Sequence, residues 1–196
     1  MNRFFLILLL ILFSFDGFSQ EESPILSSRY NFKGGAGYFR CLPAKSNGTS
    51  IWLEGGLKLR TGFDLILKLQ HSQANMVLRS DWGPLEGQIK PDIFYVVDLS
   101  FSRSLRISRN SSIEPALGFM FERSYTWLPP LEYINGYIFL TDKFGIWAED
   151  LGFSFRVDYH YHFNSGFFLG FRAQGYYIMG CFVEGLALTP VFGVRF

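Results

Sequence analysis

The chain has 196 residues, 48% of them hydrophobic and 19% aromatic, with 23 Phe, 18% charged residues and a formal net charge of +1. That balance gives no electrostatic basis for gripping nucleic acid. The length suits one domain.

The chain opens on Met1-Asn2-Arg3, followed by an apolar run over 4–13 and small residues at Gly17 and Ser19. A basic start, a short apolar core and a small-residue exit define a secretory signal, expected over 1–19 with cleavage after Ser19. The run falls short of the ~20 residues a membrane-spanning helix needs. The absence of a Cys near the cut argues against a lipid-anchored lipoprotein. No later stretch reads as a transmembrane helix.

Beyond a lead at 20–28, eight segments alternate in polarity: 30–40, 51–60, 63–72, 93–106, 113–126, 146–163, 167–180 and 186–196. The sixth shows the pattern most plainly. Trp147, Leu151, Phe153, Phe155, Val157, Tyr159, Tyr161 and Phe163 fall on one parity, with Glu149 the exception. Gly152, Ser154, Arg156, Asp158, His160 and His162 fall on the other. A period of two marks a strand with two unlike faces. Its length exceeds the ~5–6 residues usual for strands and suits the ~9–11 that cross a bilayer with tilt.

The connections alternate. Thr61-Gly62, Ser108-Arg109-Asn110-Ser111 and Asn164-Ser165-Gly166 are short turns. Residues 41–50, 73–92, 127–145 and 181–185 are the links at the other end, two of them long. Short turns at one end and longer loops at the other are the outer-membrane barrel pattern, with turns and both chain ends in the periplasm. The expected fold is therefore all-β: an eight-stranded antiparallel up-and-down transmembrane β-barrel over 29–196, in a bacterial outer membrane. Within 127–145, Asn135-Gly136 between apolar arms predicts a small hairpin too short to span.

The apolar face is assigned outward. Small residues crowd the polar face, and the bore of an eight-stranded barrel is only wide enough for side chains. Charges on that face also match across the short turns. Keeping like faces together sets Lys58 opposite Asp64, Glu54 opposite Lys68, Arg106 opposite Glu114 and Asp158 opposite Arg172. A buried bore needs such matching, because an unpaired buried charge is costly. The same rule sets Asp98 against Glu122, so a lumen cation, Arg156 or Arg195, is expected between them. Aromatic belts are expected at Tyr125, Trp127, Trp147 and Tyr177 near the loops, and at Phe101, Tyr161, Phe163, Phe167 and Phe196 near the turns.

The last strand, 186–196, carries Leu188, Phe192, Val194 and the terminal Phe196 on its apolar face. It resembles the C-terminal assembly signal of Gram-negative outer-membrane barrels. The resemblance implies that Phe192, Val194 and Phe196 are read by the barrel-assembly machinery. The whole stretch 29–196 resembles the small OmpA/OmpX-like barrels, especially the outer membrane protein beta-barrel proteins of Bacteroidota. Those imply a lipid and lipopolysaccharide surround, and no particular activity. Pro190 interrupts the strand, and a bulge or kink is expected there.

Candidate chemistry is sparse. An exported chain meets an oxidising compartment, which allows Cys41 and Cys181 to pair without requiring it. Asp158, His160 and His162 share the lumen face; a metal site or proton relay there lacks a clear third ligand, so a hydrogen-bonded network is the simpler reading. His71 with Ser80-Asp81 is the nearest approach to a hydrolytic set, and its spacing matches no defined motif. The sequons at Asn47 and Asn110 carry no weight in a bacterial barrel. No catalytic residue, cofactor or metal is assigned. The expected role is a non-enzymatic membrane protein, structural in the envelope or binding a ligand at the surface through 127–145. The alternatives are a narrow porin-like channel and a lipid-modifying enzyme.

Overall fold

A computed structural model describes residues 29–42, 46–60, 62–75, 79–80, 83–84, 91–128, 131–134, 137–140, 144–179 and 183–196. The expected signal over 1–19 and lead over 20–28 lie outside the described residues. The strands in chain order are β1 (Tyr30–Cys41), β2 (Ser46–Lys58), β3 (Asp64–Asn75), β4 (Arg79–Ser80), β5 (Gly83–Pro84), β6 (Asp92–Ser102), β7 (Leu105–Ser108), β8 (Ser111–Leu128), β9 (Leu131–Ile134), β10 (Tyr137–Leu140), β11 (Phe144–His162), β12 (Phe167–Ile178) and β13 (Val183–Arg195).

One antiparallel sheet runs β11-β12-β13-β1-β2-β3-β6-β8, and β11 pairs again with β8 to close it. The short β7 continues the line of β6 along β8, so the two form one stave and the barrel has eight. Strands β9 and β10 form a separate two-stranded ladder between β8 and β11, as the Asn135-Gly136 signal predicts. β4 and β5 make another small ladder within the β3–β6 connection.

Alternation is carried through every stave. Leu53, Leu67, Leu69, Val97, Leu99, Phe119, Phe155, Val157, Phe171 and Leu188 are exposed on the outer wall, Phe171 at 71%. Lys33, Glu54, Lys68, Asp98, Glu114, Asp158 and Arg172 are buried inside. Closure gives each strand of the wall a partner on both sides, which is what a strand-built membrane crossing requires. Rings gather where the interfaces fall. Tyr125 and Trp147 meet at 4.8 Å near the loops, and Tyr30 and Phe196 at 6.2 Å near the turns.

The turn at 59–63 closes with Leu59 N–H donating to Phe63 O at 2.7 Å, and Gly62 adopts φ 79°. The turn at 163–167 repeats this with Gly166 at φ 82°. Positive φ is the conformation that glycine takes without steric cost.

Three expectations need correction. First, β2 begins at Ser46, not after 50: Cys41 pairs with Ser46, and the Tyr38 hydroxyl donates to Asn47 Oδ1 at 2.6 Å. The polar run Ser46–Ser50 extends the wall because its backbone has a partner strand, although its side chains give no apolar signal. Second, the register of β12 against β13 runs through Pro190 without a shift; the irregularity lies at Tyr176/Tyr177. The interruption expected at Pro190 falls on its other edge: the pairing of β13 with β1 lapses over Thr189, Pro190 and Val191, opposite Gly37, Ala36 and Gly35. Any side chain at Gly35 would run into the Pro190 carbonyl and the Trp52 ring, so the bare backbone is what lets the strands close there. Third, the β7–β8 turn is tighter than the sequence suggests, with consequences for the charge pairs below.

The outward assignment is open to test at Leu69, which is 55% exposed in mid-strand beside Leu53 and Val97. Leu69→Arg is expected to lower the unfolding free energy in phospholipid vesicles by about 2–4 kcal/mol, measured by urea titration of tryptophan fluorescence. A negligible change would place that face in water.

Candidate functional site: the ionic bore

The bore holds a buried ionic cluster built from several staves. Lys33 on β1 points its Nζ at three carboxylates: Glu114 of β8 at 2.5 Å, Glu54 of β2 at 3.3 Å and Asp158 of β11 at 3.6 Å. Arg172 on β12 clamps Asp158 with two parallel hydrogen bonds, Nε to Oδ1 at 2.8 Å and Nη2 to Oδ2 at 2.7 Å. Its Nη1 lies 2.7 Å from Glu54 Oε2. The same guanidinium stacks over Trp52 at 3.7 Å, and Trp52 Nε1 donates to Thr189 Oγ1 at 3.0 Å. Arg156 meets Glu54 at 3.1 Å, and Arg195 meets Glu114 at 3.3 Å. Ser102 donates to Glu114 Oε1 at 3.0 Å. Four cations thus enclose three carboxylates. Bidentate and multiply shared contacts are what make charge burial tolerable here.

A second group lies toward the loops. Lys68 meets Asp98 at 3.3 Å and donates to Gln70 Oε1 at 3.1 Å. Gln70 donates to Ser72, and Ser72 to Ser50, at 2.9 and 3.0 Å. The Tyr176 hydroxyl donates to Gln70 as well, while the Lys68 ammonium sits 5.1 Å from the Tyr176 ring centre. Above this chain, Phe39, Phe94, Val96, Met120, Tyr176 and Ile178 pack together inside the barrel. Toward the turns, His160 packs at a tilt against Phe168, ring centres 4.6 Å apart, and its ring nitrogens lie 3.7 Å from Glu114 and Asp158, too far for hydrogen bonds. His162 Nε2 lies 2.8 Å from Ser112 Oγ. Among the described residues no three or more His, Cys, Asp or Glu side chains are placed to hold a metal ion.

The register sets Lys58 opposite Asp64, Glu54 opposite Lys68 and Asp158 opposite Arg172. Two pairings read from the sequence do not form. Arg106 lies opposite Ser112 rather than Glu114, and donates to the carbonyls of Ser108 and Arg109 in the turn. Asp98 lies opposite Met120, and Glu122 opposite Val96. The turn uses only Arg109 and Asn110, and a bulge between Arg106 and Ser108 takes up one more residue, so β6 slides two positions along β8. A two-residue slide keeps each side chain on its face while changing every partner. Asp98 therefore meets Lys68, and Arg156 and Arg195 go to Glu54 and Glu114 instead of bridging Asp98 and Glu122.

Lys33, at the centre, is the residue that sequence reasoning missed. Its stave joins β2 through a loop rather than a short turn, so no hairpin rule set its register. Its parity with Asn31 and its place before the glycines at 34, 35 and 37 were the available signal. Cys41 is buried at the loop end of β1, and Cys181 lies outside the described residues, as does Asp81. On the outer wall His71 is engaged by Gln73 at 3.1 Å and by the Tyr95 ring at 5.0 Å. Phe192 and Phe196 are exposed on the last stave, at 58% and 69%, with Val194 half-buried between them.

A closed barrel of eight antiparallel staves, apolar outside and ionic within, is the architecture of the small transmembrane β-barrels. No family model matches the sequence, and no curated protein does. Among solved structures, Neisserial surface protein A is similar with a TM-score of 0.57 at 10% identity, over 85% of this chain and 96% of that one. A major outer membrane protein from Thermus thermophilus matches with a TM-score of 0.56 at 15% identity, over 87% of this chain and 100% of that one. Ail, the attachment invasion locus protein of Yersinia pestis, matches with a TM-score of 0.52 at 10% identity, over 86% and 99%. The fold is that of small outer-membrane barrels.

Lys33→Met removes the one cation of the cluster that touches all three buried carboxylates and leaves Glu114 with Arg195 alone of the cluster's four cations. It is expected to cost about 3–5 kcal/mol of stability in bilayers. Lys33→Met/Glu114→Gln should recover part of that loss, because it removes the charge left most exposed to repulsion. A loss in the double variant equal to the sum of the losses in Lys33→Met and Glu114→Gln alone would show that the two are not coupled.

Proposed function

We propose that this chain is a non-enzymatic integral protein of a bacterial outer membrane, with a closed bore, serving the envelope structurally or binding at the surface through its loops. One observation carries the reading: the bore is filled by fully buried side chains, among them Arg172, Lys33, Lys68, Phe168, Ile66 and Met120. An eight-stranded barrel has room for little else. A porin-like path would require the ionic cluster and the Phe39–Phe94–Met120 layer above it to part together. The enzyme alternative loses support where His71 is already engaged with Gln73 and Tyr95 on the outer wall.

The presented element is the β9–β10 hairpin, which holds its own ladder outside the barrel sheet. In this reading lipid and lipopolysaccharide surround the apolar wall, the hairpin region 127–145 offers the surface for an extracellular ligand, and Phe192, Val194 and Phe196 are the strip read by the assembly machinery.

In planar bilayers the protein is expected to give no steady conductance steps. Reproducible steps of one size would overturn the closed-bore reading. Deleting the gene should leave the lipid A mass spectrum unchanged, and a lost or altered species would restore the enzyme alternative.

A further inference from the structure

Among the described residues, the charged side chains that reach the surface at the turn end are of one sign. Arg29 stands at the entry to β1, Arg60 at the β2–β3 turn, and Arg103 and Arg109 along the path from β6 to β8, while Lys58 and Arg106 share the inner parity at the mouth of the bore. Among the described residues, the acidic side chains at this end, Asp64, Glu114 and Asp158, are all turned inward and buried. Arg195 on β13 is also turned inward, to Glu114. The third turn, Asn164-Ser165-Gly166, carries no charge. The basic residues therefore form an arc over β1, β2, β3, β6–β7 and β8 and leave the β11–β12–β13 side bare. The loop end differs: there the outward Arg123 is matched by Glu149 at 3.5 Å.

The arc is also held at a definite depth. The Arg29 guanidinium lies 5.7 Å from the centre of the Tyr30 ring, and that ring packs on Phe196. The Arg103 guanidinium lies 5.5 Å from the centre of the Phe63 ring. Rings of an interfacial belt sit at the boundary of the hydrocarbon, and a cation on their polar side stands level with lipid phosphates. Guanidinium binds phosphate through paired hydrogen bonds as well as by charge.

We infer that this arc binds the phosphates of anionic phospholipid headgroups in the leaflet that surrounds the turns. The inference rests on the membrane-protein reading above and adds a lipid class, a leaflet and a side of the barrel to it. The arc fixes how the barrel is held on its turn side, and the bare side leaves that contact directional.

The test uses the folded protein in vesicles with spin-labelled phosphatidylglycerol or phosphatidylcholine. The wild type is expected to immobilise the anionic lipid preferentially at low salt and to lose that preference at high salt, where the screening length shrinks. Arg29→Gln/Arg60→Gln/Arg109→Gln should abolish the preference, with each arginine worth up to about fivefold at low salt. The corresponding Arg→Lys triple variant should keep most of it. Arg40→Gln/Arg123→Gln, at the loop end, should leave it intact. No preference in the wild type, a preference surviving in the Gln triple variant, or an equal loss in the loop-end variant would each overturn the inference. A Gln triple variant that keeps lipid selectivity and loses co-sedimentation with peptidoglycan would reassign the arc to a wall polymer and overturn it too. Heat-modifiable migration after insertion into neutral vesicles separates the two levels. Failure to insert refutes the membrane reading itself, whereas insertion without anionic preference refutes only the arc.

Discussion

Everything inside this barrel answers to one constraint: charges placed where water cannot reach must be neutralised by other charges held at fixed positions. Lys33 does this for three carboxylates that come from three different staves. Glu54 in turn takes Lys33, Arg156 and Arg172, and Glu114 takes Lys33, Arg195 and Ser102. The contacts run across the bore as well as between neighbouring strands. Wrong registers that preserve the apolar face would still break these contacts, so the cluster discriminates between pairings that hydrophobicity alone cannot tell apart. Its contribution to stability is a separate matter. Buried ion networks are often no better than well-packed apolar cores of the same volume, yet costly to leave half-made. Specification of one register is the role that the geometry supports here.

The wall and the bore are consequences of the same alternation. The outer parity is large and apolar because lipid is its solvent. The inner parity is mixed: ionic in the middle, histidine and hydroxyl groups toward the turns, and a packed layer of Phe39, Phe94, Val96 and Met120 toward the loops. That layer and the cluster beneath it occupy the bore one above the other. The aromatic belts and the basic arc then distinguish the two ends of the wall, so the molecule has a polarity along the membrane normal that the closed bore does not itself require.

Most of the architecture was legible in the sequence because the period-two signal in 146–163 is long, and because glycines at 62 and 166 mark turns whose backbone needs positive φ. Three of the expected oppositions followed from those turns, since a hairpin with a known centre has a known register, although Glu54 and Lys68 make their ion pairs with other residues. The pairs Arg106–Glu114 and Asp98–Glu122 were misread at the one turn where a bulge adds a residue. A bulge leaves no mark in hydropathy. Lys33 was illegible for a different reason: Glu54 stands opposite it on β2 across a loop that fixed no register, and Glu114 and Asp158 lie on strands distant in sequence that only closure brings near. Trp52, Phe94 and Phe168 were hidden as well, because they are apolar residues on the parity that was read as polar.

The seam between the first and last staves has a further consequence. Tyr30 and Phe196 exchange backbone hydrogen bonds at 3.0 Å in both directions, and β13 is bonded on its other edge to β12. A chain synthesised from its N-terminus therefore carries an open edge on β1 until β13 has been made. No partial product can hide its ladder groups from solvent or from another chain's strand. Until the closing strand arrives, that edge stays open to pairing with any other extended segment, which is how unpaired strand edges aggregate.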